Sequence, residues 1–130
     1  MDNLLCALTL GVKDYFRKGR FKTACFGMSG GIDSALVAYI AVQALGKENV
    51  LSVFMPSKYT TEQSAQDVKA LSENLGVKHI EIGIEPLREQ FLETLTPCFD
   101  GKGEDVTEEN IQARIRGNLL MAIVINMAIL

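Results

Sequence analysis

Leu4, Leu8, Val12 and Tyr15 recur at helical spacing and predict a first helix over residues 4–18, broken by Gly19 and Arg20. Residues 21–28 form a short apolar, β-compatible run. A polar, glycine-rich turn over 29–34 follows, and then every residue from 35 to 45 except Gln43 is apolar. A helix apolar around its whole circumference is expected to be buried on more than one side, as beside a sheet, and Gly46 is placed to end it. The alternation then repeats. Residues 50–55 predict a second strand, closed by Pro56 and a polar loop. Thr60-x-x-Gln63 has the form of a capping box, and the helix after it carries Ala65, Val68, Leu71 and Leu75 on one face before Gly76. Residues 78–84 alternate and predict a third strand.

A further helix is expected over 86–96, with Leu87, Phe91, Leu92 and Leu95 as its apolar stripe. Residues 97–106 read as a Gly- and acid-rich loop. Thr107 is then the expected N-cap of a last helix, with Glu108 and Glu109 suited to the helix dipole. Strands alternating with helices over short links imply an α/β fold with a parallel sheet and right-handed crossovers. No internal repeat or linker divides the 130 residues, so one unit is expected over 1–130.

Composition narrows the class. With 48% hydrophobic and 22% charged residues the chain is not intrinsically disordered. A net charge of −3 argues against a nucleic-acid partner, which would call for a basic face. From Leu119 to Leu130 only Asn126 is polar, but a membrane span needs about 20 apolar residues, and Arg114, Arg116 and Asn118 stand just upstream. The first ten residues carry Asp2 and no basic leader, so no secretion signal is expected. Cys6, Cys25 and Cys98 are scattered, and His79 is the only histidine, which excludes a His-based metal cluster and suggests a reducing compartment. A soluble, cytoplasmic protein is the expectation.

The turn after the first strand carries the chemistry. It reads Gly27-Met28-Ser29-Gly30-Gly31-Ile32-Asp33-Ser34. Glycines admit close approach of a ligand, serines supply hydroxyls, and the helix behind offers unpaired N–H groups and a positive dipole end. All three suit a phosphate. Walker A is excluded because no lysine is present, and Gly27, Gly30 and Gly31 lack the spacing of the dinucleotide fingerprint. Asp33 beside a polyphosphate would repel it unless a divalent cation intervenes, so a magnesium-bound nucleotide phosphate is the prediction. A plain Gly-rich turn with an Asp-Ser cap is the bland alternative.

SGGIDS resembles the PP-loop of ATP pyrophosphatases, which split ATP into AMP and pyrophosphate. GMSGGIDSALVA, VFMPSKYTTEQS and DVTEENIQARIRGNLLM together resemble the synthetase domain of NAD(+) synthase, in its glutamine-dependent branch. The resemblance implies a three-layer Rossmann-like (adenine nucleotide alpha hydrolase-like) sheet, here truncated after three strands and a long C-terminal helix. It implies ATP binding by Gly27, Met28, Ser29, Gly30, Gly31, Ile32, Asp33 and Ser34, with Mg2+ on Asp33. Asn110, Arg114 and Arg116 match positions that contact deamido-NAD. The implied reaction adenylates the nicotinate carboxylate of deamido-NAD, releases pyrophosphate, and lets ammonia displace AMP. The ammonia would come from glutamine through an amidase domain. No residue is an evident general base, and the family forms dimers, so a homodimer through 107–130 is expected.

Plainer readings stand beside these. Asn110 and Arg114, four apart, also suit a solvated face paired with Glu108 or Glu109, and Lys58 and Tyr59 suit either nucleotide contact or a surface turn. His79 and Cys25 read as structural. Glu104, Asp105, Glu108 and Glu109 read as a solvated loop and helix start rather than a metal site. The chain matches about the first half of the synthetase unit, so little turnover is expected from it alone. A non-catalytic nucleotide-binding remnant, or another PP-loop enzyme such as a GMP-synthase-like amidotransferase, are the competing expectations.

Overall fold

The computed structural model describes residues 2–99 and 106–129. Its elements are α1 (Asp2–Gly19), β1 (Ala24–Met28), α2 (Ile32–Leu45), β2 (Val50–Phe54), α3 (Glu62–Leu75), β3 (Lys78–Glu81), α4 (Glu85–Leu95) and α5 (Val106–Ile129). The three strands are parallel in the order β1-β2-β3, with Ala24 opposite Val50 and Leu51 opposite Lys78. Each crossover is helical, as the alternating sequence requires.

β2 is the central strand, and its side-chain period of two divides the core. Leu51, Val53 and Met55 point to one face, where they pack with Ile84 and with Ile111, Ile115, Leu119, Leu120 and Ile123 of α5. Phe54 points to the other face and packs with Met28, Ala38 of α2 and Val68 of α3. Helices therefore cover both faces of the sheet, giving three layers. The third strand pairs more loosely at its end. Its regular ladder stops at Glu81, short of the expected 84, but the Ile82 and Ile84 N–H groups still donate to Phe54 O and Pro56 O.

Several expectations are corrected. α2, expected to be buried on more than one side, packs on α1 as well as on the sheet and buries Ala38, Ala41 and Ala44, but Leu36, Val37 and Tyr39 stay exposed. The cap of α3 is Thr61, whose Oγ1 accepts from Ser64 N at 3.1 Å. Thr60 instead closes a tight turn, accepting from Ser57 N and donating its own N–H to Ser57 O. On α4 the predicted stripe is half wrong: Leu87 and Phe91 are exposed, and the buried residue is Arg88. α5 starts at Val106, which puts Thr107 inside its first turn. On α1, Leu4, Leu8 and Tyr15 are exposed. Glu104 and Asp105 lie outside the described residues.

Candidate functional site

β1 ends at Met28 and α2 begins at Ile32, which leaves three residues to reverse the chain. Gly30 makes that reversal at φ +85°, a region L side chains rarely adopt. The turn is laced by its own serines. Ser34 Oγ accepts from Ser29 N at 3.3 Å, donates to Gly31 O at 3.1 Å and lies 3.2 Å from Ser29 Oγ. Ser29 Oγ in turn accepts from Gly31 N at 3.3 Å. Gly31 is the N-cap of α2 and supplies no side-chain cap. The first-turn N–H groups, which have no intrahelical acceptor, thus remain available to an anion. Asp33 stands exposed in that first turn.

Beside the turn opens a cavity of about 410 Å³ with three walls. Gly27, Met28 and Ser29 form one; Phe54, Met55 and Thr60, at the end of β2 and in its loop, form the second. Ala113, Arg116, Gly117 and Leu120 of α5 form the third. Gly27 leaves room between its neighbours in the lining, since a Cβ there would meet Met55 Cε at 3.2 Å and Leu120 Cδ1 at 3.6 Å. Arg116 is half-buried and donates from Nε to Met55 O at 3.0 Å. Burial draws its guanidinium below the usual arginine range, yet an arginine stays charged at any ordinary pH. A fixed cation and the start of the glycine turn thus meet in one cleft, and the open N-terminus of α2 follows three residues after Ser29.

The NAD synthase family model matches residues 4–130. The chain belongs to the NAD synthase family. The glutamine-dependent NAD(+) synthetase of Thermotoga maritima is 50% identical over 122 residues, a match covering 94% of this chain and 21% of that protein. The chain therefore spans about a fifth of the length of such curated relatives. A solved glutamine-dependent NAD+ synthetase from Acinetobacter baumannii, in complex with ADP, superposes with a TM-score of 0.87 at 41% identity, over 89% of this chain and 22% of that one. An NMN synthetase from Francisella tularensis superposes equally well, at 0.87 and 30% identity, over 96% of this chain and 50% of that one. The Rossmann-like α/β fold expected for an NAD synthase is the one present.

The site residues expected of an NAD synthase fall into two groups. Gly27, Met28 and Ser29 line the cavity, whereas Gly30, Gly31, Ile32, Asp33 and Ser34 carry the chain on from it into α2 and do not line it. Ile32 is 84% exposed, so its side chain contributes nothing to the core. Of the three α5 residues only Arg116 reaches the cavity; Asn110 and Arg114 are exposed and do not line it. Glu108 pairs with Arg88, at 3.8 Å. Lys58 and Tyr59 face α4: Lys58 N donates to Glu85 at 2.8 Å, and the Tyr59 ring has Lys58 Nζ and Arg88 Cζ within 5.0 and 5.3 Å of its centroid. His79 Nδ1 lies 3.2 Å from the buried Ser52 hydroxyl and 3.4 Å from that of Ser72, a packing role.

Sequence reasoning missed most of the α5 wall. Ala113, Arg116, Gly117 and Leu120 stand at i, i+3, i+4 and i+7, a helical face whose two small residues leave room beside a cation. That spacing was the available signal. For metal, no group of three or more His, Cys, Asp or Glu side chains forms among the described residues. A magnesium ion that arrives on a nucleotide needs only one or two protein carboxylates, which the exposed Asp33 fits.

Proposed function

We propose that this chain is the nucleotide-binding part of an ATP-dependent NAD synthase, which amidates deamido-NAD. The observation that carries the proposal is a cleft lined by both Ser29 and Arg116, with the serine-laced turn and the uncapped N-terminus of α2 following directly on Ser29. The ADP bound by the Acinetobacter baumannii relative supports an adenine nucleotide as the ligand.

In this reading the turn takes the polyphosphate of ATP. The N–H groups of Ser29 and Gly31, now satisfied by Ser34 Oγ and Ser29 Oγ at 3.3 Å, exchange those long bonds for phosphate oxygens. Gly30, Gly31 and Ser34 hold the departing pyrophosphate, and Arg116 offsets charge from the opposite wall. The nicotinate carboxylate attacks the α-phosphorus, the bond to pyrophosphate breaks, and an acyl-adenylate forms. Ammonia then attacks the acyl carbon, AMP leaves with the bonding pair, and a proton is released. Bound at Asp33, Mg2+ would neutralise phosphate charge. The chain's own contribution is positioning and a preorganised set of donors. Asn110 and Arg114 extend from α5 toward solvent as further contacts for deamido-NAD.

Glutamine, through an amidase domain, is the proposed ammonia source, as the names of the curated relatives suggest. The apolar side of α5, where Met121, Val124 and Ile125 are exposed, is the proposed homodimer contact within 107–130, of which Leu130 lies outside the described residues. No described helix is long and apolar enough to cross a membrane. A cytoplasmic setting fits the three free thiols. Calorimetric titration with ADP, with and without Mg2+, tests the site. Absence of any binding at millimolar ADP overturns it. An assay for AMP and NAD from ATP, deamido-NAD and ammonia reads catalysis separately.

A further inference from the structure

Arg88 is the one fully buried cation among the described residues, with its side chain 3% exposed. Its Nη2 lies 2.9 Å from Glu85 Oε1, and its Nε donates to the same carboxylate at 3.0 Å. Glu85 then accepts from the backbone N–H of Lys58 at 2.8 Å, so the carboxylate is shared between α4 and the loop from β2 to α3. The Arg88 guanidinium also lies 5.3 Å from the centroid of Tyr59 in that loop, within cation–π range. Its Nη1 faces Glu108, in the first turn of α5, at 3.8 Å. The elements thus joined are the two that wall the cleft opposite the glycine turn, through Met55 and Thr60 on one and Arg116 and Gly117 on the other. Arg88 itself does not line the cleft.

We propose that Arg88 is a positioning residue for the nucleotide cleft, setting the spacing between the loop after β2 and α5 through Glu85, Tyr59 and Glu108. This rests on the nucleotide-binding reading above. The physical case is one of cost and geometry. Burying a guanidinium is unfavourable unless several groups share its charge, and a planar fork that meets two carboxylates and a ring fixes their relative placement. An apolar residue would fill the volume and tie nothing together, and a lysine would bring a point charge without the planar fork that sets direction. The Nε bond from Arg116 to Met55 O already ties the two walls directly, and the Arg88 cluster supplies the second tie that stops them from pivoting about the first.

The test compares two probes on the whole chain. Inorganic pyrophosphate is held chiefly by the turn, with Arg116 only offsetting its charge, whereas the nucleoside of ADP also needs the two walls at their proper spacing. In R88M, read by titration well below the melting temperature, ADP is expected to bind about tenfold more weakly while pyrophosphate affinity stays within about twofold. E108Q keeps the Arg88–Glu85 pair and loosens only the tie to α5, and about threefold weaker ADP binding is expected. It also serves if R88M does not fold. Equal loss for both probes, or loss for neither, overturns the positioning role and leaves the nucleotide site standing. A wild-type chain that binds neither probe overturns both.

Discussion

Gly30 and Ser64 touch where two helices begin. A Cβ built on Gly30 would stand 3.1 Å from Cα and Cβ of Ser64 and 3.2 Å from its carbonyl oxygen. The phosphate-type turn is therefore wedged against the first turn of α3, whose cap Thr61 receives the Ser64 N–H and donates to the Ser64 hydroxyl. Neighbouring Gly31 has ordinary backbone, at φ −85°, and a Cβ there would meet nothing closer than Ser29 Oγ at 3.4 Å.

The two glycines should accordingly differ. Gly30→Ala is expected to cost roughly 1–3 kcal/mol from its positive φ alone, with more from the Ser64 backbone, and to abolish ADP binding. Gly31→Ala should cost about 1 kcal/mol or less. Chemical denaturation of both variants, with ADP titration, measures the contrast. Equal stabilities would show that the turn is free to rearrange.

Asp33 offers a separation of binding from folding. Its carboxylate is exposed, so Asp33→Asn should leave stability within about 0.5 kcal/mol of the parent. The Mg2+-dependent part of ADP affinity should disappear, because that part needs the carboxylate. Titrations at zero and millimolar Mg2+ decide it; an undiminished Mg2+ effect places the ion elsewhere.

Acid should loosen the Arg88 cluster. The Arg88 hydrogen bond, aided by the Lys58 N–H and by both charges, holds the Glu85 carboxyl below its usual range, against a partial desolvation that pushes it up. A depressed carboxyl stabilises the fold above the unfolded value of about 4.3 and loses that contribution as pH falls through the folded value. Thermal unfolding followed from pH 7 to pH 3 should show this loss, and Glu85→Gln should make the profile flatter. A parallel decline in the two proteins would rule out Glu85 as the source.

Ile84 is fully buried where the chain leaves the sheet for α4, beside Val53, Met55 and Ile115. Ile84→Ala is expected to cost about 2–5 kcal/mol in urea or thermal unfolding. A cost under about 1 kcal/mol would mean that the α5 face of the sheet is not packed as described.

Self-association through α5 is checked by sedimentation at tens of micromolar. Val124→Glu, placed on an exposed apolar position, should shift the chain toward monomer without lowering its stability. A parent chain that is already monomeric at that concentration counts against the interface.

Much of this molecule follows from local chemistry. The order of strands and helices, the stop at Gly76 in left-handed conformation, and the phosphate-type turn between β1 and α2 are set by residues adjacent in the chain. Periodicity and turn propensity act over a few positions, so they are legible in the residues themselves. The Ala65, Val68, Leu71 and Leu75 stripe packs as its spacing demands. Other features obey longer-range rules. Leu87 and Phe91 look like the buried side of α4, yet the helix turns Arg88 inward, where Glu85 of the same helix is joined by the Glu108 carboxylate of α5 and the Tyr59 ring of the loop after β2. Thr60 matches a capping box, but the tight turn it makes with Ser57 moves the cap to Thr61.

The cleft divides in the same way. Gly27 to Ser34 announce an anion site by themselves, because glycine freedom and an open helix N-terminus are local properties. That Arg116 lines the cavity, while Asn110 and Arg114 stay outside it, depends on how α5 crosses the sheet and on the bond from Arg116 to Met55 O, 61 positions earlier in the chain. Side-chain identity reveals what a residue can do. Which residues meet is settled by packing between elements far apart along the chain, where the burial of Ile115, Leu119 and Leu120 fixes the rotation of α5 and hence the direction of Arg116.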